Sequence, residues 1–245
     1  MPRYKLTIEY DGTGYYGWQR QNDFKTIQGT IESAIKSFSG QEIELFAAGR
    51  TDAGVHAIGQ IAHFDLDKEF PEWQITKAIN FYLKDEGIVI LDTKIVNESF
   101  HARFSAHRRA YCYKILNRSS RSALDAHRAW HVKEALDIEK MQQAANLLIG
   151  HHDFSSFRAA GCQASSAQIT LDEVKIHQEG QLILINVKAK SFLYHMVRNI
   201  AGSLVEVGKG DITIEKLNGI LESRNRQMAC VTAPAHGLYF TSVKY

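Results

Sequence analysis

Cysteine is scarce in this chain of 245 residues: Cys112, Cys162 and Cys230 stand far apart, an odd count with no CxxC pair. Neither a disulfide framework nor a thiolate metal site fits that spacing, and the three are read as reduced thiols. Long apolar runs are missing too. Met1-Pro2-Arg3-Tyr4-Lys5 leads directly into an alternating strand pattern, and no later stretch is long enough to cross a bilayer, so a soluble, cytoplasmic protein without a membrane partner is expected. A strong charge imbalance is also lacking, since the formal net charge is only +2. The whole-molecule field therefore does not announce a polyanion. Locally it is different: between His101 and Arg128 the bases Arg103, Arg108, Arg109, Lys114, Arg118, Arg121 and Arg128 face one acid, Asp125. That segment reads either as a phosphate track or as a solvated basic surface.

What is present is enough apolar sequence, 44% of the residues, to bury a sizeable core in one large domain or two smaller ones. Tyr4 to Glu9 alternates as a strand. Ile27, Ile31, Ala34, Ile35 and Phe38 recur at helical spacing, Ile43 to Ala47 and Ile58 to Phe64 alternate again, and Pro71 opens a second helical pattern through Trp73, Ile75, Ala78, Ile79 and Tyr82. Ile88 to Val96 closes this half as a strand. The order β-α-β-β-α-β is the ferredoxin-like arrangement, and the second half predicts it again: strand Ala110 to Leu116, helix Ile138 to Ile149, a hairpin of Ile169 to His177 and Leu182 to Ala189 about Glu179-Gly180, a long helix Phe192 to Val207, a shorter one Ile214 to Leu221 and a strand Leu238 to Val243. The fold class is thus α+β, two ferredoxin-like halves, 1–106 and 107–245. With no low-complexity linker between them, they are expected to share a largely antiparallel sheet or a tight interface.

Several strings invite chemistry. Gly12-Thr13-Gly14-Tyr15-Tyr16-Gly17 matches GxGxxG after a strand, but Trp18 to Lys25 intervene before any helical pattern and tyrosines fill the loop, so a dinucleotide site does not fit. Tyr15, Trp18, Arg20 and Gln21 are candidates to meet bases or phosphates, or else to pack within the loop. Ala48-Gly49-Arg50-Thr51-Asp52-Ala53-Gly54-Val55-His56-Ala57 is a polar loop between two apolar strands. Gly49 and Gly54 permit positive φ, so a tight bend can hold the Asp52 carboxylate near Arg50. Spacing alone does not separate a nucleophile loop from a hairpin turn whose Asp bonds its own backbone. His151-His152-Asp153 fails as a metal site or triad, because adjacent histidines diverge and no ligand partner recurs. Tyr111 and Tyr113 share one strand face, as core aromatics would, and Arg198 on an amphipathic helix is by itself a solvated charge.

Taken together the strings carry more. "GRTDAGVHA" resembles the signature loop of the TruA family of tRNA pseudouridine synthases, and "EYDGTGYYGWQRQ" resembles the first motif of that family. Phe100-His101-Ala102-Arg103-Phe104-Ser105-Ala106 followed by Arg109-Ala110-Tyr111-Cys112-Tyr113, the GxHDF segment Gly150 to Phe154, Ser191 to Gly202, and Thr232 to Tyr239 resemble its later motifs in order. The resemblance implies a pseudouridine synthase fold, Asp52 as catalytic nucleophile, Arg50 assisting base flipping, Tyr111 stacking on the uracil, Arg198 pairing with the Asp52 carboxylate, and Met196 or Val197 padding the pocket. It implies Phe154 and Phe157 as packing anchors after a turn, with Arg158 a candidate RNA contact. Two departures stand out: Ala110, where some members carry a base, and Leu83 to Ile88, where the usual Leu-Pro-x-Asp-Ile turn is rebuilt.

The implied activity is isomerisation of uridine to pseudouridine in the tRNA anticodon stem-loop, positions 38 to 40, by a homodimer. No atoms are gained or lost in that reaction, so it calls for no metal, redox cofactor or energy donor. The alternative is a non-catalytic RNA-binding protein built from ferredoxin-like domains, against which stands the lack of an RNP1-like string. A third reading, a carboxylate-based hydrolase of a nucleoside bond, would use Asp52 to activate water.

Overall fold

The computed structural model describes residues 1–245 and divides them into two compact units, Met1–His107 with Tyr239–Tyr245, and Arg108–Leu238. Both are α+β. No helix is long and apolar enough to cross a membrane.

The first unit follows the order β1 (Arg3–Tyr10), α1 (Ile27–Ser39), β2 (Phe46–Ala47), β3 (His56–Asp65), α2 (Glu72–Tyr82) and β4 (Ile88–Val96). β1 lies between β4 and β3, antiparallel to both, and buries Tyr4, Leu6, Ile8 and Tyr10 on one face because side chains alternate along a strand. α1 is capped at its start by the Thr26 hydroxyl, which accepts from Gly29 N–H, and stopped by Gly40 at φ 74°. Ile27, Ile31, Ala34 and Ile35 form its buried stripe. The other edge of β3 is divided: β2 pairs antiparallel at Ala62 and His63, while the last strand of the chain, β10 (Leu238–Lys244), pairs in parallel at His56 and Ala57. Sequence order places β10 with the second half, yet Tyr239 to Tyr245 complete the first unit.

The strand expected over Ile43 to Ala47 shrinks to two residues for a visible reason. Leu45 N–H donates to Glu32 Oε1 at 2.9 Å and Leu45 O accepts from Gln28 Nε2 at 3.2 Å, so side chains of α1 take the groups a strand neighbour would use. β4, at the outer end of this sheet, is covered similarly: the Asn80 amide of α2 bonds both the N–H and C=O of Ile90, each at 2.8 Å. An edge whose backbone is already occupied resists pairing with another chain.

The second unit comprises β5 (Arg108–Asn117), β6 (Trp130–Val132), α3 (Ile138–Asn146), β7 (Gly150–Asp153), β8 (Gln168–Glu179), β9 (Leu182–Ala189), α4 (Met196–Lys209) and α5 (Ile214–Ser223). Its antiparallel strands run β5-β9-β8-β7, with β6 parallel to β5. Gln142 of α3 bonds Val174 O and Ile176 N–H of β8, repeating in this unit the amide hook that Asn80 of α2 makes on Ile90. β6 and β7 are additions to the expected order, and β7 occupies what reads in the sequence as a turn. α4 begins at Met196 rather than Phe192, because His195 takes a left-handed φ of 59° and no helix passes through such a residue.

Candidate active site

The Asp52 loop is held from below by the loop that follows β1. Trp18 N–H donates to Thr51 O at 2.9 Å, and the Thr51 hydroxyl is bonded to the buried Tyr10 phenol at 2.7 Å. Gly12 N–H donates to His56 Nδ1 at 3.0 Å, and Asp11 Oδ1 lies 3.1 Å from the same nitrogen. Side chains are excluded from this seam: a Cβ on Gly12 would meet Val55 O at 2.1 Å, and one on Gly17, whose φ is 86°, would meet Thr51 O at 2.7 Å. Glycine at both positions is thus a requirement of close backbone approach. On the opposite side Gln60 Nε2 donates to Gly49 O at 2.8 Å, and Ala48 N–H to Ile61 O at 2.7 Å. Val55 N–H closes a turn on Asp52 O, with Gly54 at φ 76°. Gly49, expected to share that conformation, does not take positive φ.

Within this pinned loop Thr51 and Val55 are buried, Asp52 is half-buried and Arg50 is exposed. Burial pushes the Tyr10 hydroxyl up to about 12, so it stays a neutral hydrogen-bonding phenol. The rebuilt Leu83 to Ile88 turn buttresses the same region, since Gly87 O accepts from Asp11 N–H at 2.8 Å. Glu86 in that turn accepts from the Tyr15 hydroxyl at 2.6 Å and pairs with Lys25 at 2.5 Å. Desolvation works against the Glu86 carboxylate, but hydrogen bonds from Lys25 and Tyr15 outweigh it and hold its pKa below the usual range.

In the second unit Tyr111 lies on β5, buried, its ring edge-on to Phe192 at 4.9 Å. Arg198 is the third residue of α4. Its Nε donates to Ala233 O at 2.8 Å while its own C=O accepts from Ala233 N–H at 3.1 Å, a two-way clasp that fixes the guanidinium plane. Tyr113 donates to Pro234 O at 2.7 Å, and burial raises its pKa. Met196 and Val197 are buried. Phe154 and Phe157 are fully buried, as packing anchors should be.

Three sequence candidates do other work. Tyr15 and Trp18 are buried, at 6% and 2% exposure, and Arg158 donates to the carbonyls of Cys162 and Ala164, tying its own loop. His151 bonds Thr170 and His152 bonds Ile149 O, so the adjacent histidines diverge. Two supporting residues went unread in the sequence. Tyr10 is one; fully buried Asn199 is the other. Asn199 Nδ2 donates to Phe157 O, and its Oδ1 accepts from Thr232 and Arg226, so it locks α4 to two flanking segments immediately beside Arg198. A mid-helix Asn looks like an ordinary polar position, and only the fold reveals its partners. The cysteines are free, and burial pushes the Cys112 thiol up to about 11.

Asp52 and Arg50 thus lie on a pinned loop of the first unit, and Tyr111 and Arg198 on a strand and a clasped helix of the second. The chain belongs to the tRNA pseudouridine synthase family, whose members are isomerases, and the family model matches residues 6–105 and 144–245. Curated relatives named tRNA pseudouridine synthase A match along the whole chain. The protein of Paramagnetospirillum magneticum is 48% identical over 245 residues, covering 100% of this chain and 96% of its own. That of Caulobacter vibrioides is 47% identical, covering 100% and 99%, and that of Agrobacterium fabrum 45%, covering 100% and 93%.

Proposed function

We propose that this enzyme converts uridine to pseudouridine in the anticodon stem-loop of tRNA, at positions 38 to 40, with Asp52 as nucleophile. The observation that carries the reading is the seating of Asp52: its loop is bonded to β3 on one side and to the Gly12–Trp18 loop on the other, while the carboxylate-bearing residue keeps access to solvent. A nucleophile needs a fixed position and a path to its substrate.

The reaction breaks the N1–C1′ bond, turns the detached uracil and joins C5 to C1′; the proton leaves C5 and N1 ends protonated. Asp52 acts by attack at C1′ or C6, or by removing the C2′ proton. Tyr111 stacks on the base and helps move the C5 proton, directly or through water. Arg198 pairs with the carboxylate of the nucleophile. Extruding the uridine costs a few kcal/mol, which stacking offsets in part, and Arg50 fills the gap left in the stem. The enzyme works as a homodimer, which sedimentation at about twice the chain mass would register.

Tritium release from tRNA carrying C5-labelled uridine tests the reaction. The wild-type enzyme releases the label. Asp52→Ala and Asp52→Asn lose at least about 10³-fold in rate, the scale on which removing a nucleophile acts. Release at the wild-type rate by either variant overturns the assignment of Asp52. Bound but unchanged RNA would favour a simple binding protein, and an abasic product a hydrolase.

A further inference from the structure

The loop that supports Asp52 turns two of its aromatics inward and leaves two outside. Tyr15 and Trp18 are buried, whereas Tyr16 and Phe24 remain 54% and 46% exposed although their rings pack against each other at 4.3 Å, inclined by 37°. They are not on a floppy tip. Tyr16 N–H donates to Lys25 O at 2.9 Å, Gln21 and Phe24 form an antiparallel bridge, and Gln21 Nε2 donates to Tyr16 O at 3.1 Å. Tyr16 immediately precedes Gly17, the residue pressed on Thr51 O, so the pair stands beside the Asp52 loop. Arg20 and Lys25, both mostly exposed, flank it while paired with Glu32 and Glu86; Arg50 is exposed on the neighbouring loop, and Asp23 is the acid of the turn.

We infer that Tyr16 and Phe24 form a stacking platform for an unpaired nucleobase of the RNA next to the target uridine. A rigid pair of rings exposes π-surface to any base, and cations around it suit the phosphates on either side of that base. The water-exposed apolar area gains a partner only when RNA is bound. This inference rests on the reaction proposed above, and it assigns to the first motif loop a substrate contact separate from the nucleophile it supports.

The test uses the full-length enzyme and an anticodon stem-loop RNA with 2-aminopurine beside the target uridine. In the wild-type complex the fluorescence of the probe is quenched by stacking. Tyr16→Leu with Phe24→Leu, which keeps apolar volume at solvent-exposed positions, should relieve the quenching and raise KM by about tenfold, with a smaller effect on kcat. Tyr16→Phe with Phe24→Tyr, which keeps both rings, should restore both readings. A leucine pair that quenches the probe and binds RNA as the wild type does overturns the platform. If the wild-type enzyme forms no pseudouridine at all, the reaction itself has been misread; if it does and the leucine pair behaves identically, only the platform is wrong.

Discussion

The role proposed for Asp52 requires an immobile, accessible carboxylate, and neighbouring residues hold its loop in place. Thr51 is fastened by its carbonyl to Trp18 and by its hydroxyl to Tyr10, which leaves the next residue little freedom. A second residue-scale feature governs acid stability. His63 is buried on β3, with its Nδ1 accepting from Ala102 N–H at 3.2 Å, and burial first, then the charges of His101 and Arg3, lower its pKa to about 4. The unfolded chain takes up that proton near pH 6.5, as histidine ordinarily does, whereas the folded protein refuses it until about pH 4. The unfolded state thus binds more protons across this window, and stability is full above about pH 6.5 and falls as pH drops toward 4. Urea midpoints at pH 7 and pH 5 should differ for the wild type and differ less for His63→Asn, whose side-chain oxygen can still accept from Ala102. An equal difference in the two proteins would show that another group sets the slope.

At the scale of elements, α4 delivers Arg198, and its setting depends on Asn199. Replacing Asn199 by Ala removes the buried amide that joins Phe157, Thr232 and Arg226, and is expected to cost about 2–3 kcal/mol, read as a lowered urea midpoint at unchanged m-value. The strands are the most readable elements, because β1 and β9 alternate cleanly between buried and open positions. What escaped pattern reading has local causes. β2 is short because Gln28 and Glu32 occupy the Leu45 backbone; β7 carries Gly-His-His-Asp, which has no apolar alternation; and α4 starts late because His195 is left-handed. None of these is encoded in hydrophobic period. In the candidate site the motif strings identified Asp52, Arg50, Tyr111 and Arg198 as candidates by resemblance, whereas periodicity alone left Tyr111 among core aromatics and Arg198 among surface charges. Tyr10 and Asn199 matter through partners distant in sequence.

At the scale of the whole molecule the near balance of charge, +2 overall, means that RNA attraction has to come from local groups. Arg118 donates to the carbonyls of Ser120 and Arg121, and Arg108 pairs with Asp172, so part of the basic stretch after His101 is spent on the protein itself. A handful of remaining phosphate contacts should still make tRNA affinity fall by at least about tenfold between 50 and 200 mM salt. A filter-binding series that stays flat over that range would remove the electrostatic part of the proposal.

The seven residues from Tyr239 to Tyr245 finish a unit whose other members were made more than a hundred residues earlier. Tyr239 stacks on His56 at the exit of the Asp52 loop, Lys244 O accepts from His107 N–H, and the Tyr245 hydroxyl donates to Ala102 O. The amino-terminal unit is therefore expected to keep one flank open during synthesis, and the Asp52 loop to settle only after Tyr239 to Tyr245 have been made. A chain stopped after Leu238 should accumulate in inclusion bodies or turn over rapidly in the cell, and adding the missing heptapeptide in trans at high concentration should recover part of its solubility.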